Sequence, residues 1–584
     1  MSPVRDRTRT HRVRAMCHLA AAFAAIAVLL VPLVARAQAG LSRDEVLRLP
    51  APLRAAASDY GAVRCDSSPV TGLLPGENML TNRVMAIEPE GISVLPAQEF
   101  ARLSAALPGV PASREGLSRL AAAVECRYRE LGYIFARAAI LTDPTGVEGR
   151  YRLAVTEGVV RRVEALADTE ALANLALRAF AGIKTGVPLR ATEVRRGLAH
   201  AASVGLTDVR PTIRRSRIDP NALDLVLVVM QNPDQIFVQA QNANAKALGP
   251  GGFLAGMRLA GLTPLEERTT FGAYMAEDVR KQWSAQFDSE ALIGKSGLKA
   301  RLGAAYSRAQ PGDVLEPLEI DAKTTYLLAE LSAPLFVRRG LVSVWRVGLE
   351  AVDQKSEFFG NLPLGDDRLR VALAGVRVDG LTRAGMWQLD LQARRGLDAL
   401  GASDRGDPRL SNTLSNPQGF ALRADGELGL QLSRNVAMRG TLRAQWSRDS
   451  LLGFERINFG GLSGGQGFDP GALAGDSGVT ATLQVHGREF PLGSTASLRP
   501  FLHASAARLW SVKDRGEADA RGASAGLGLQ WAFGGWRVET LWAEPMGRIE
   551  GTGEDAYGSR FLVRITGSFE SNRRRAPRSG SVEN

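Results

Sequence analysis

Residues 460–478 read GGLSGGQGFDPGALAGDSG. Eight of these nineteen residues are glycine, yet the stretch also holds a Gly467-Phe468-Asp469-Pro470 turn and closes on Gly475-Asp476-Ser477-Gly478. In Asp469-Pro470-Gly471 the aspartate bonds nearby backbone, the proline fixes φ and the glycine admits positive φ. On either side, Val436–Trp446 and Val479–Val485 alternate apolar with polar residues in the manner of β-strands. The segment is therefore a long loop of specified shape, set within an all-β surround.

That surround begins near residue 235, where glycine becomes frequent and helical periodicity fades. Strands are expected at Ile236–Ala243, Phe253–Leu259, Thr270–Ala276, Thr324–Leu331, Leu341–Leu349, Leu369–Val376, Met386–Ala393 and Ala421–Leu432. In Met386–Arg394, Trp387, Leu389, Leu391 and Ala393 alternate with Gln388, Asp390, Gln392 and Arg394, which suits lipid on one face and a hydrated lumen on the other. A soluble sandwich would instead turn its apolar face to a protein core. No apolar run after about residue 35 approaches the ~20 residues of a spanning helix, so a membrane role rests on strands. Residues 235–569, at about 21 residues per strand and connection, give roughly sixteen antiparallel strands. Phe561–Phe569 reads as the last of them, followed by a basic tail (570–584) with Arg573-Arg574-Arg575.

The N-terminal half is different. Arg5, Arg7, Arg9, Arg12 and Arg14 precede an apolar run, Leu19–Val34, and small residues close it at Ala37-Gln38-Ala39, the order of a secretory signal peptide (1–39). Its removal takes away six arginines and one aspartate, so nearly half of the net +11 charge belongs to the leader. The remainder gives no reason to expect nucleic-acid binding. Residues 40–78 read as a helix or linker, a possible plug, interrupted by Pro50 and Pro52. Cys65 and Cys126 are left for an oxidising compartment, where a bridge closing that interval contributes about 4 kcal/mol. Whether the two thiols meet is open at this level.

From 79 to 158 the pattern is strand–helix–helix–strand–strand. Val84–Ile87 and residues 97–107 are the first strand and helix, and Ser113 caps a second helix with Leu117, Leu120, Ala121, Val124, Tyr128 and Leu131 on one stripe. Gly132 ends it, and Tyr133–Ile140 and Arg150–Gly158 are expected strands. The order repeats over 159–231, with Val159–Leu166, helices near 169–182 and 190–204, and strands Val209–Ile213 and Leu223–Met230. The fold class is thus two α+β domains (79–158 and 159–231) ahead of an all-β transmembrane barrel (235–569) carrying the in-folded loop 460–478.

These units resemble POTRA domains, and Tyr128–Arg137 (YRELGYIFAR) is similar to the first such domain of the two-partner secretion transporters, the TpsB family of haemolysin and filamentous haemagglutinin secretion-activation proteins. Gly396–Ala402 (GLDALGA), Gln445-Trp446-Ser447, Leu451-Leu452, Glu455 and Phe459-Gly460-Gly461 also resemble that family, in its order. The resemblance implies a monomeric Gram-negative outer-membrane pore of sixteen strands with POTRA domains in the periplasm. It implies capture of one secreted TpsA-like exoprotein by those domains and its export through the barrel. An assembly factor that inserts other barrels is the alternative within the superfamily, and a passive porin lies outside it. The resemblance implies neither cofactor nor metal, and the sequence holds no P-loop, zinc cluster or nucleophile–base set.

In the family the loop carries an arginine that meets a wall aspartate. Here the tetrad is Gly465-Gln466-Gly467-Phe468, and the matching wall strand, Phe501–Trp510, has Ser505 where the aspartate is expected. Both charges are missing together, which avoids stranding either one. The expectation is a Gln466–Ser505 hydrogen bond in their place, worth ~1 kcal/mol, with Arg456 and Arg508 as alternative local charges. Phe468, Asp469, Gly475 and Asp476 are expected to shape the loop.

Overall fold

The computed structural model describes residues 79–571, apart from 143–146, 168, 204–205, 207, 220–221, 231–233, 295–296, 339, 361, 383, 513–518 and 547–557. The expected signal peptide, the segment 40–78 with Cys65, and the tail from 572 onward lie outside the described residues. Cys126 is fully buried and disulfide-bonded, and its partner is likewise outside them.

The first domain comprises β1 (Met79–Arg83), β2 (Ala86–Glu90), α1 (Ala97–Ser104), β3 (Pro111–Ser113), α2 (Arg114–Glu130), β4 (Arg137–Thr142) and β5 (Arg150–Thr156). Its sheet runs β2–β5–β4, with β2 parallel to β5, while β1 and β3 form a separate ribbon. The Ser113 hydroxyl accepts from the Gly116 amide at 2.9 Å, the expected N-cap. Leu117, Leu120, Val124 and Tyr128 of α2 are buried against the sheet. Gly132, at φ +94°, turns the chain after the helix.

The expected strand at Tyr133–Ile140 is corrected: only Arg137 onward pairs with β5. Tyr133–Ala136 is a joint to the second domain, whose β6 (Val159–Ala167), α3 (Glu170–Ala179), α4 (Ala191–Ser203), β7 (Asp208–Arg215) and β8 (Ala222–Met230) form a β6–β8–β7 sheet. Arg190 donates Nε to the Tyr133 hydroxyl at 2.8 Å, the Ala191 amide donates to the Gly132 carbonyl at 2.9 Å, and Phe135 packs on the second core. The apolar run that alternates like a strand is thus spent on contacts between domains.

The barrel closes from β9 (Asp234–Gln241) to β27 (Arg560–Ser571) through antiparallel neighbours only. The intervening strands are β10 (Gly252–Ala260), β11 (Arg268–Ala276), β12 (Gln282–Ile293), β13 (Leu298–Ala309), β14 (Asp321–Arg338), β15 (Leu341–Phe358), β16 (Leu362–Leu381), β17 (Gly385–Gly396), β18 (Phe420–Ser433), β19 (Val436–Ser447), β22 (Ser477–His486) with its continuation β23 (Phe490–Leu492), β24 (Ala496–Trp510), β25 (Ala520–Phe533) and β26 (Trp536–Met546). Because β22 and β23 pair with the same strand, the circuit has sixteen staves, as expected. Strands β20 (Ile457–Phe459) and β21 (Leu473–Gly475) form a hairpin apart from the wall. Of the four staves the sequence did not single out, β12, β13, β25 and β26, the first three carry small residues (alanine with serine or glycine) that blunt the alternation signal. Leu292 of β12 is buried in the core of the second domain, seating that domain at the periplasmic end.

One buried acid ties the first domain together. Glu157 accepts from the Ser93 and Val94 amides at 2.6 and 2.8 Å, from the Ser93 hydroxyl, and from the Tyr128 hydroxyl at 2.5 Å. Burial pushes its pKa up, but the Ser93 and Tyr128 donors outweigh that and hold it below the usual glutamate value. A depressed carboxyl stabilises the fold above its unfolded pKa and loses that contribution as pH falls through the folded value. Hydrogen exchange of the Ser93 and Val94 amides, corrected for intrinsic rate, should therefore quicken as the pH is taken below the ordinary glutamate range. Glu157→Ala should show this loss already at neutral pH, by about 1–3 kcal/mol.

Candidate functional site: the in-folded loop and its seat

Between β19 and β22 the chain turns back into the lumen. Leu451, Leu452 and Phe454 are buried at once, Leu452 and Phe454 against Tyr326, Leu328, Val352 and Leu369 of the inner wall. The lumen is therefore not uniformly polar: it offers an apolar seat beside β14–β16. The Phe454 and Tyr326 rings lie 6.0 Å apart.

Next to this seat, Arg394 of β17 is 1% exposed. Its guanidinium reaches Glu455 of the loop through Nε and Nη2, both at 2.8 Å, and Glu350 of β15 through Nη2 at 2.5 Å. Arg423 of β18 adds a bond to Glu455 at 3.1 Å. The fork geometry of arginine serves two carboxylates at once, which is what makes a desolvated charge tolerable. Gln445 fixes the backbone on both limbs of the loop, donating to the Glu455 and Asp476 carbonyls at 2.9 and 3.0 Å.

At the root, Asp476 is completely buried. Its two oxygens accept from the Leu451 amide at 2.8 Å and the Val512 amide at 2.9 Å, with Arg456 Nε at 3.7 Å. Asp476 thus binds the start of the loop and the end of β24 to one point. Gly475 pairs with Ile457 across the β20–β21 hairpin.

The tip is held by a reversed charge pair. Asp469 of the loop meets Arg560 of β27 at 3.1 Å, and the same Nη1 donates to the Phe468 carbonyl at 2.6 Å. Phe468 is fully buried, 5.7 Å from the Phe459 ring, in a cluster with Leu473 and Leu509. Gly465 sits at φ +79°, where a Cβ would fall 2.5 Å from the Phe459 ring. A Cβ on Gly467 would lie 2.8 Å from the Pro545 nitrogen and 3.0 Å from the Ser524 Cβ, so only glycine lets the tip approach the wall so closely.

The expected Gln466–Ser505 bond does not form. Ser505 instead shares a hydrogen bond of 2.8 Å with Ser524 on the next stave, and Gln466, though buried, lines a cavity of about 230 Å³ with Arg439, Glu539 and Arg564. Two neighbouring hydroxyls satisfy each other at lower cost than either reaching into the lumen. Phe501 is buried and stacks on His486, 5.2 Å away. Arg508 points outward, whereas Arg456 donates to the Ala474 carbonyl and Ser511 inside. The polarity of the latch is therefore inverted: the loop contributes acids and the wall arginines. Sequence reasoning missed Arg394, Glu350 and Arg560, because a charge on a lumen-facing position is ordinary in such strands.

A sixteen-stave membrane barrel with a seated internal loop, preceded by two βααββ-type domains, defines a POTRA–barrel pore of the outer membrane. Comparison by sequence agrees: residues 343–529 match the haemolysin secretion/activation protein ShlB/FhaC/HecB family, and residues 83–158 match the ShlB-type POTRA domain. Both matched segments are similar to two-partner secretion transporters, outer-membrane barrels with POTRA domains in the periplasm. No curated protein sequence matches it. Among solved structures it is similar in fold to CdiB from Escherichia coli (TM-score 0.70, 18% identity, covering 86% of this chain and 94% of that one). It is also similar to CdiB from Acinetobacter baumannii (TM-score 0.59, 13% identity, 87% and 95%).

Arg394→Met should strand Glu350 and Glu455 and cost about 3–5 kcal/mol, read as a lower temperature for the heat-induced shift in electrophoretic mobility. Asp469→Asn and Arg560→Gln should each raise protease access to the loop. The double variant should be no worse than either single one if the two act as a pair.

Proposed function

We propose that the protein exports one TpsA-like exoprotein, captured in the periplasm by the POTRA domains and threaded unfolded through the barrel after the loop leaves its seat. The observation that carries this reading is the form of the plug. The loop is held by ion pairs and small apolar clusters, so it can exchange for a client strand without unfolding the wall. A buried pair is costly to break singly but is released as a set when water enters the lumen and solvates each charge.

Capture by β-augmentation suits the first domain. Strand β4 is an edge of its sheet, and Ala139 and Leu141 on it are exposed. In the second domain the edge strand β7 contains Pro211, which supplies no amide for pairing. The family is one of transporters, and on our reading no catalytic step takes place: folding of the client outside the cell draws it outward. The pore works as a monomer within outer-membrane lipid, with neither metal nor cofactor.

Photocrosslinkers placed at Ala139 and Leu141 should join the client's N-terminal region, and the same probes on the opposite edge, β2, should not. Deleting the coding region should remove one large extracellular protein and leave the other outer-membrane barrels at their normal level. General barrel depletion would instead identify an assembly factor.

A further inference from the structure

The outer wall carries a feature that export does not use. Arg508 of β24 and Arg521 of β25 are direct cross-strand partners, and both are exposed on the outward face, Arg508 two residues before Trp510. Like charges directly opposite one another destabilise a sheet, and on a lipid-facing stave an arginine is costlier still unless it lies at the interface. Neither has a carboxylate partner among the described residues. Val479, which pairs with Arg508 on the other side, lines an apolar depression of about 820 Å³ that continues across Leu391 and Leu422 to Trp345, with Trp446 and Trp510 at its upper rim. Arg448 lies over the Trp446 ring at 5.3 Å, adding a third cation at the same rim.

The end of the barrel is fixed by topology. The second POTRA domain packs on Leu292 and Gly297 at one end, and the arginines lie at the other. They therefore face the outer leaflet, whose distinctive lipid is a phosphorylated diglucosamine bearing acyl chains. We propose that this face binds lipid A, a phosphate seated between Arg508 and Arg521 and acyl chain in the tryptophan-rimmed depression. Arginine matches phosphate in bidentate geometry, and tryptophan favours the headgroup level. A phosphate between the two guanidiniums turns their repulsion into a shared contact. The proposal rests on the outer-membrane placement and not on the export mechanism.

The test is native mass spectrometry on full-length, delipidated protein in detergent, offered lipid A, dephosphorylated lipid A or phosphatidylglycerol. One lipid A should be retained about tenfold more tightly than either alternative, a difference of about 1.4 kcal/mol. The Arg508→Gln/Arg521→Gln variant, with heat-modifiability confirming its barrel, should lose that preference, and the double lysine variant should keep part of it. Equal retention of dephosphorylated lipid A or phosphatidylglycerol by the unaltered protein overturns the proposal without reference to any variant. Undiminished lipid A binding by the double glutamine variant overturns it as well.

Discussion

Arg394 lies on the inner wall with almost no exposure, held between a wall carboxylate, Glu350, and a loop carboxylate, Glu455. A guanidinium in that position is tolerable only while both acids are present, because leaving one member of a desolvated set unpaired costs several kcal/mol. The loop is thus not an accessory to the barrel. Its Glu455 completes the solvation of a charge the wall has already buried, and Leu452 and Phe454 close the apolar patch beside it. Wall and loop stabilise each other.

This arrangement assigns opposite signs to the two surfaces. The loop brings Glu455, Asp469 and Asp476, and the wall brings Arg394, Arg423 and Arg560. Asp476 differs in kind, since its oxygens are satisfied chiefly by backbone amides at the root of the loop. It holds the hinge, while the other two hold the seat. The loop is thus fixed at its base through backbone amides and along its length through ion pairs to the wall.

Much of the fold was legible because a barrel stave has a two-residue period and a domain helix a 3.6-residue one, and both survive in the sequence. The staves at Met386 and Val436 and the helix capped by Ser113 were readable for that reason. Tyr133–Ala136 misled because alternation records which side chains are covered, not what covers them; Arg190 and the second domain do so here. The site was legible only in part. The glycine-rich stretch 460–478 marked the loop, and at Gly467 a side chain would collide with the wall at Pro545 and Ser524. The expected Gln466–Ser505 partnership failed, since Ser505 found Ser524 on the adjacent stave.

The sequence by itself determined the periodicities, the stave count, the turn chemistry of the loop and the absence of charge at positions 466 and 505. These are local properties, written in residue spacing. Which charges meet was decided by tertiary structure alone: Arg394 and Glu455 are 61 positions apart, and Arg560 and Asp469 lie on different elements of the closed circuit. Closure of the cylinder sets those distances, and no local pattern encodes the angle at which a barrel presents one stave to a loop returning from another.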